Sequence, residues 1–137
     1  MPIPPAFRMT GVTAFLLGGC VPAIALFFGQ GIAITLGAIL VGPPPLVILP
    51  SHWPYFVVPL GMYVAASFFV GWLLRRRREA WFASTGLLSV SLVEFFYSFP
   101  LNWKLEEVID AFWIIPGLST VFGLIALHFG NFWGTQR

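Results

Sequence analysis

Four stretches of about 20 residues, near positions 9–28, 55–74, 80–99 and 111–130, hold a single charged residue between them, Glu94. Twenty residues is the length at which an α-helix crosses the roughly 30 Å hydrocarbon core of a bilayer. Of the 137 residues 58% are hydrophobic and only 9% charged, against roughly 25% charged in water-soluble domains. That deficit leaves too little polar surface to face water, so the outer surface is expected to face lipid. The four stretches and their connections use up the chain, leaving no room for a separate soluble domain. The expected fold is an all-α integral membrane protein, a single transmembrane domain over residues 1–137 built as a four-helix transmembrane bundle.

The connection between the first two spans is the irregular part. Pro22 inside the first span predicts a kink, because neighbouring helices can re-satisfy the carbonyl it frees. Gly29-Gln30-Gly31 is expected to interrupt the helix. The following apolar run, residues 32–41, is too short to cross alone, and prolines 43, 44, 45, 50 and 54 forbid a regular helix beyond it. Residues 29–53 read as a proline-rich external connection: a continuation of the first helix, or a re-entrant or interfacial segment packed on the bundle. Hydropathy alone also allows a fifth crossing there.

Orientation follows from the basic residues. Arg8, the run Arg75-Arg76-Arg77-Arg78 and Arg137 fall on one side of a four-span chain, which places that side and both termini in the cytoplasm. With five spans Arg8 would move outside. The short turn at residues 75–79 makes the second and third spans an antiparallel hairpin. The arginine run reads as a topology signal that also suits anionic lipid headgroups, so nucleic-acid binding is not expected from the net charge of +2. The localisation this implies is multi-pass in a plasma membrane, of the bacterial inner-membrane kind. Asn102 is placed to cap the fourth helix, whose first turns are amphipathic before a restart at Pro116-Gly117.

Few residues carry chemistry. Ser84, Ser91, Glu94 and Ser98 differ by seven, three and four positions and so share one helical face. Glu94 is thus a carboxyl inside a span, where loss of water favours its neutral form, and intramembrane ionisable groups are functional candidates by default. His52, Lys104, Glu106, Glu107 and Asp110 form an external polar cluster, read as a solvated rim. His52 and His128 lie at opposite ends of the bundle, so they cannot share a metal or haem, although His128 alone would suit a pigment or haem. No cofactor or metal is expected, and no catalytic motif is found. Cys20 has no cysteine to pair with; it ends Leu17-Gly18-Gly19-Cys20, which resembles a lipoprotein cleavage box but is read here as small residues for close helix packing.

Small residues recur four apart on every span: Gly19 and Ala23, Gly61 and Ala65, Ser67 and Gly71, Thr85 and Ser89, Ser119 and Gly123, Ala126 and Gly130. In lipid this spacing favours close helix contact. The expected function is intramembrane association, as an accessory subunit of a larger membrane complex or a partner-binding protein of the immunity type. The expected partners are the bilayer and another membrane protein or a second copy. The alternative is an oligomeric small transporter or channel with Glu94 as its proton or cation site.

Overall fold

The computed structural model describes residues 11–42, 51, 53–98 and 117–136. Within them the chain is a bundle of four α-helices with no strand: α1 Gly11–Leu40, α2 Pro54–Leu73, α3 Arg77–Ser98 and α4 Leu118–Thr135. The prolines at 43–50, together with Arg8, His52, Asn102, Pro116 and Arg137, lie outside the described residues.

α1 runs unbroken through both Pro22 and Gly29-Gln30-Gly31, which corrects the expected interruption. A glycine costs a helix only about 1 kcal/mol relative to alanine, and Gly29 is held against α2, where a Cβ would press on the Pro59 backbone and Met62. The packed neighbour outweighs the local preference. Of the readings for residues 29–53, continuation of the first helix is the one seen, as far as Leu40. The 30 residues of α1 span about 45 Å at 1.5 Å per residue. By length and composition α1 suffices to cross a membrane, and it is the one such helix among those described. The apolar part of α2, Val57–Leu73, is shorter.

The helix ends are set by local chemistry. Gly42 takes φ +96°, in the left-handed region where glycine escapes Cβ strain. The Tyr55 hydroxyl donates to the Gly42 carbonyl at 2.5 Å, tying the end of α1 to the start of α2. Pro54 opens α2 at its first position, where its missing N–H costs nothing. At the start of α3, Glu79 Oε2 accepts from the backbone N–H groups of Arg75 and Arg76 at 3.1 and 3.3 Å, the reciprocal half of a capping box.

α1 packs on α2 and α3, and α4 packs on α2 and, less extensively, on α3. α2 and α3 run antiparallel but approach each other least of all these pairs; they stand on a diagonal, so the expected hairpin is not a packed pair. The reason lies in glycine. A Cβ on Gly86 would overlap the Phe15 carbonyl, and one on Gly18 would overlap Ala83, which draws α3 onto α1. A Cβ on Gly71 would overlap the Leu127 carbonyl, and those on Gly130 and Gly134 would overlap the backbones of Phe68 and Trp72, which draws α4 onto α2. Gly11 meets Phe82 and Gly19 meets Val90, as Gly130 meets Phe68 and Gly134 meets Trp72; along both seams the residue numbers rise together, so α1 lies parallel to α3, and α2 to α4. The start of α1, the turn after α2 and the end of α4 therefore gather at one end.

Apart from Tyr63, the interior is made of small and medium side chains, among them Ala14, Ala33, Ser67, Val70, Ala80, Ala83, Leu87 and Leu127. Substituting Gly71 or Gly86 by alanine is expected to destabilise the bundle by about 1–3 kcal/mol through overpacking. Gly61, with nothing within 4 Å of its would-be Cβ, should accept alanine at less than about 1 kcal/mol. Unfolding of the three variants in mixed micelles checks this, and equal costs at all three positions would refute the seams.

Candidate functional site

The polar side chains of the bundle collect at two levels. The inner level is built around Tyr63, whose ring fills the notch left by Gly123 on α4 and which is only 4% exposed. Its hydroxyl reaches across the diagonal to Ser91 Oγ on α3 at 3.2 Å. Thr120 on α4 is also within hydrogen-bonding reach of that hydroxyl, and the Glu94 carboxyl is close enough to act on it electrostatically. One turn along α2, Ser67 donates to the Tyr63 carbonyl at 2.8 Å, using up its only proton within its own helix. Tyr63 thus joins three helices at one point.

The second level lies at the end where the arginines stand. Ser84 Oγ, buried, donates to the Ala80 carbonyl at 2.9 Å and lies 2.8 Å from His128 Nε2 on α4. A hydroxyl has one proton. With that proton on Ala80, Ser84 accepts from His128, which assigns the imidazole proton to Nε2. The His128 ring leans on Trp81, with centroids 4.9 Å apart. One turn on, the buried Asn131 amide donates to the carbonyls of Leu74 and Gly71 at 2.9 and 3.4 Å. Leu74 is the C-cap residue of α2 and Gly71 lies in its last turn, where the Gly71 carbonyl also accepts from the Leu74 N–H, so α4 secures the end of α2 with a side chain. Arg77, Trp81, His128, Asn131 and Phe132 line a recess of about 290 Å³ here.

The α3 stripe therefore resolves into separate contacts. Ser84 belongs to the His128 level and Ser91 to the Tyr63 level. Glu94 borders Tyr63 while lying exposed on α3. Ser98 closes α3, with its side chain outside the described residues. The external cluster of His52, Lys104, Glu106, Glu107 and Asp110 also lies outside them. Arg75 and Arg76 form the turn, and Arg77 and Arg78 begin α3; the Arg78 guanidinium sits over the Phe82 ring at 5.7 Å, a cation–π geometry. Cys20 is an exposed free thiol.

Tyr63, Thr120 and Asn131 are the members that sequence reading missed. Their signal was present: each is a hydrogen-bonding side chain inside an apolar helix, where an unpaired polar group is costly. Among the described residues no buried side-chain nitrogen or oxygen lacks a partner, and no group of three or more His, Cys, Asp and Glu is arranged to hold a metal ion. Comparisons with family models, curated proteins and solved structures find no match.

Tyr63→Phe and Ser91→Ala should each cost about 0.5–1.5 kcal/mol. In a double-mutant cycle they should couple by about 0.5 kcal/mol or more, as contacting residues do; strictly additive costs would separate the two hydroxyls. Asn131→Leu should cost more than either, because it takes the amide donor from the Leu74 carbonyl.

Proposed function

We propose that the chain is a multi-pass membrane protein, with four crossings and the arginine end in the cytoplasm, that works by packing against another membrane protein. The observation that carries this reading is an inverted distribution of side chains. Small residues fill the seams, whereas Phe27, Ile39, Val57, Phe69, Val93, Phe96, Ile125 and Phe129 are all more than half exposed. Every described helix turns large apolar side chains outward. In water such a surface exceeds what soluble monomers tolerate; in lipid it costs nothing. The core helix of a water-soluble protein would be mostly covered, yet only 22% of the most apolar window of α1 is buried.

The placement of the two polar levels supports the same view. The hydroxyls, His128 and Asn131 bond within or between helices, as a medium without water requires. Four arginines stand together at one end, as the charge bias of cytoplasmic loops requires. The site for association is α3 around Glu94, an exposed carboxyl that borders Tyr63 on a helix whose other sides expose Leu92, Val93 and Phe96. A carboxyl in an otherwise apolar span is a strong specificity element, because a neighbouring helix that offers a donor gains much more than one that does not. An accessory subunit or an immunity-type protein that neutralises a partner in the bilayer fits this chemistry. The alternative, an oligomeric small transporter or channel with Glu94 as its proton or cation site, has in its support the adjacency of Glu94 to Tyr63, whose hydroxyl neighbours Ser91 and Thr120.

Topology is testable by labelling. In a Cys20→Ser background, an impermeant maleimide should reach Ser51→Cys in intact cells and Arg76→Cys only after permeabilisation; labelling of both from one side would sink the four-crossing reading. Function is testable by size and flux. In mild detergent the wild-type particle should exceed the 15.2 kDa monomer, and Glu94→Ala should shift it toward monomer at unchanged helicity. A wild-type particle that is already monomeric, or a Glu94→Ala particle of unchanged size, refutes association through this face. Proton or cation flux in liposomes that disappears with Glu94→Gln would favour the transport alternative.

A further inference from the structure

The recess between the first turns of α3 and the last turns of α4 has features that packing alone does not require. Arg77 and Trp81 stand on one wall, His128, Asn131 and Phe132 on the other, around a volume of about 290 Å³. At about 30 Å³ per water, that is room for a phosphodiester group and several waters. The uncommitted donors on its walls come from Arg77 and Trp81. Arg77 presents a planar guanidinium that is exposed and suited to two parallel bonds to phosphate oxygens. Trp81 has only an N–H to offer, and its side chain is 68% exposed. The Asn131 amide nitrogen is committed to the α2 carbonyls, and His128 Nε2 to Ser84, which fixes the wall rather than leaving it to rearrange.

The electrostatics point the same way. Arg75, Arg76 and Arg78 flank Arg77, and the first turn of α3 adds the positive end of a helix dipole. Arg78 is drawn onto Phe82, so Arg77 is the arginine of the run that lines the recess. The acidic residue on this turn, Glu79, is engaged by the Arg75 and Arg76 backbone N–H groups. Phe132 and the Trp81 ring supply an apolar wall beside the charge. A cation, an indole N–H beside it and an adjoining apolar surface match a phosphate that carries a glyceride.

We propose that this recess binds the phosphate of an anionic phospholipid headgroup, held by Arg77 with Trp81 alongside. The proposal rests on the membrane reading above, because only there does the recess lie at headgroup depth, beside the aromatic side chains and arginines that mark an interface. The recess differs from a diffuse polybasic attraction in one respect: a single arginine matters much more than its neighbours.

The test uses the full-length protein in a nonionic detergent, with binding of phosphatidylglycerol and phosphatidylcholine followed by native mass spectrometry. Phosphatidylglycerol should bind in preference. Arg77→Gln should weaken it roughly tenfold, as loss of a charged hydrogen-bonding group does, whereas Arg75→Gln should weaken it about twofold or less. Both residues are exposed, and circular dichroism verifies that both variants remain helical. Excess inorganic phosphate that leaves the lipid bound assigns the site to a headgroup; phosphate that displaces it assigns the same contacts to a free anion and overturns the lipid. Equal weakening by the two variants, or none, overturns the recess as a site. Extraction of the protein from membranes by alkaline carbonate would instead overturn the membrane reading beneath it, so the two failures are distinguishable.

Discussion

The closest approaches between helices run backbone to backbone through glycine. Gly86 meets the Phe15 carbonyl, Gly18 meets Ala83, Gly71 meets the Leu127 carbonyl, and Gly130 meets Phe68. None of these positions has room for a Cβ. At such distances van der Waals contact covers much of the helix length, and no large side chain has to be ordered to obtain it. The arrangement of the bundle follows. α3 is drawn to α1 and α4 to α2, so the helices joined by the shortest described turn, α2 and α3, end up on a diagonal. A seam filled by glycine and alanine also has no space for phenylalanine or isoleucine, and those side chains are turned outward.

Polar groups are placed by the same geometry. Tyr63 crosses the diagonal because Gly123 leaves its ring a notch, and only then does its hydroxyl meet Ser91. Asn131 reaches the end of α2 because the Gly71, Gly130 and Gly134 seam brings α4 within a side chain's length of it. His128 bonds Ser84 where α4 meets α3. Each polar contact is therefore a consequence of close packing that in turn locks the register of the helices that make it. A one-turn slide of α2, α3 or α4 would lose two of the three contacts at once.

Much of this was legible in particular residues, and some was not. The apolar stretches announced the helices, and the four-residue spacing of small residues announced part of the α2–α4 seam but not Gly18 or Gly86 between α1 and α3. Ser67, Gly71, Gly123, Ala126 and Gly130 do lie buried in the α2–α4 seam. The same spacing at Gly61 and Ala65 faces outward, because spacing identifies a face without saying what it meets. At Gly29-Gln30-Gly31 local propensity pointed to a break, but Pro59 and Met62 on another helix hold Gly29 in place. The serine stripe on α3 was visible as a periodicity. Its partners Tyr63 and His128 were not, since they lie 28 and 44 positions away in sequence.

The sequence by itself determined that the chain is helical, where its apolar segments run and that its charges other than Glu94 gather outside them, because these follow from composition and from the 3.6-residue period of a single helix. Only the tertiary structure decided which helices touch, that α1 continues to Leu40, and that Ser84 and Ser91 serve two different levels. Those outcomes depend on distances between chain segments far apart in sequence. There the presence or absence of one Cβ, at Gly71 or Gly86, decides which neighbour can come close.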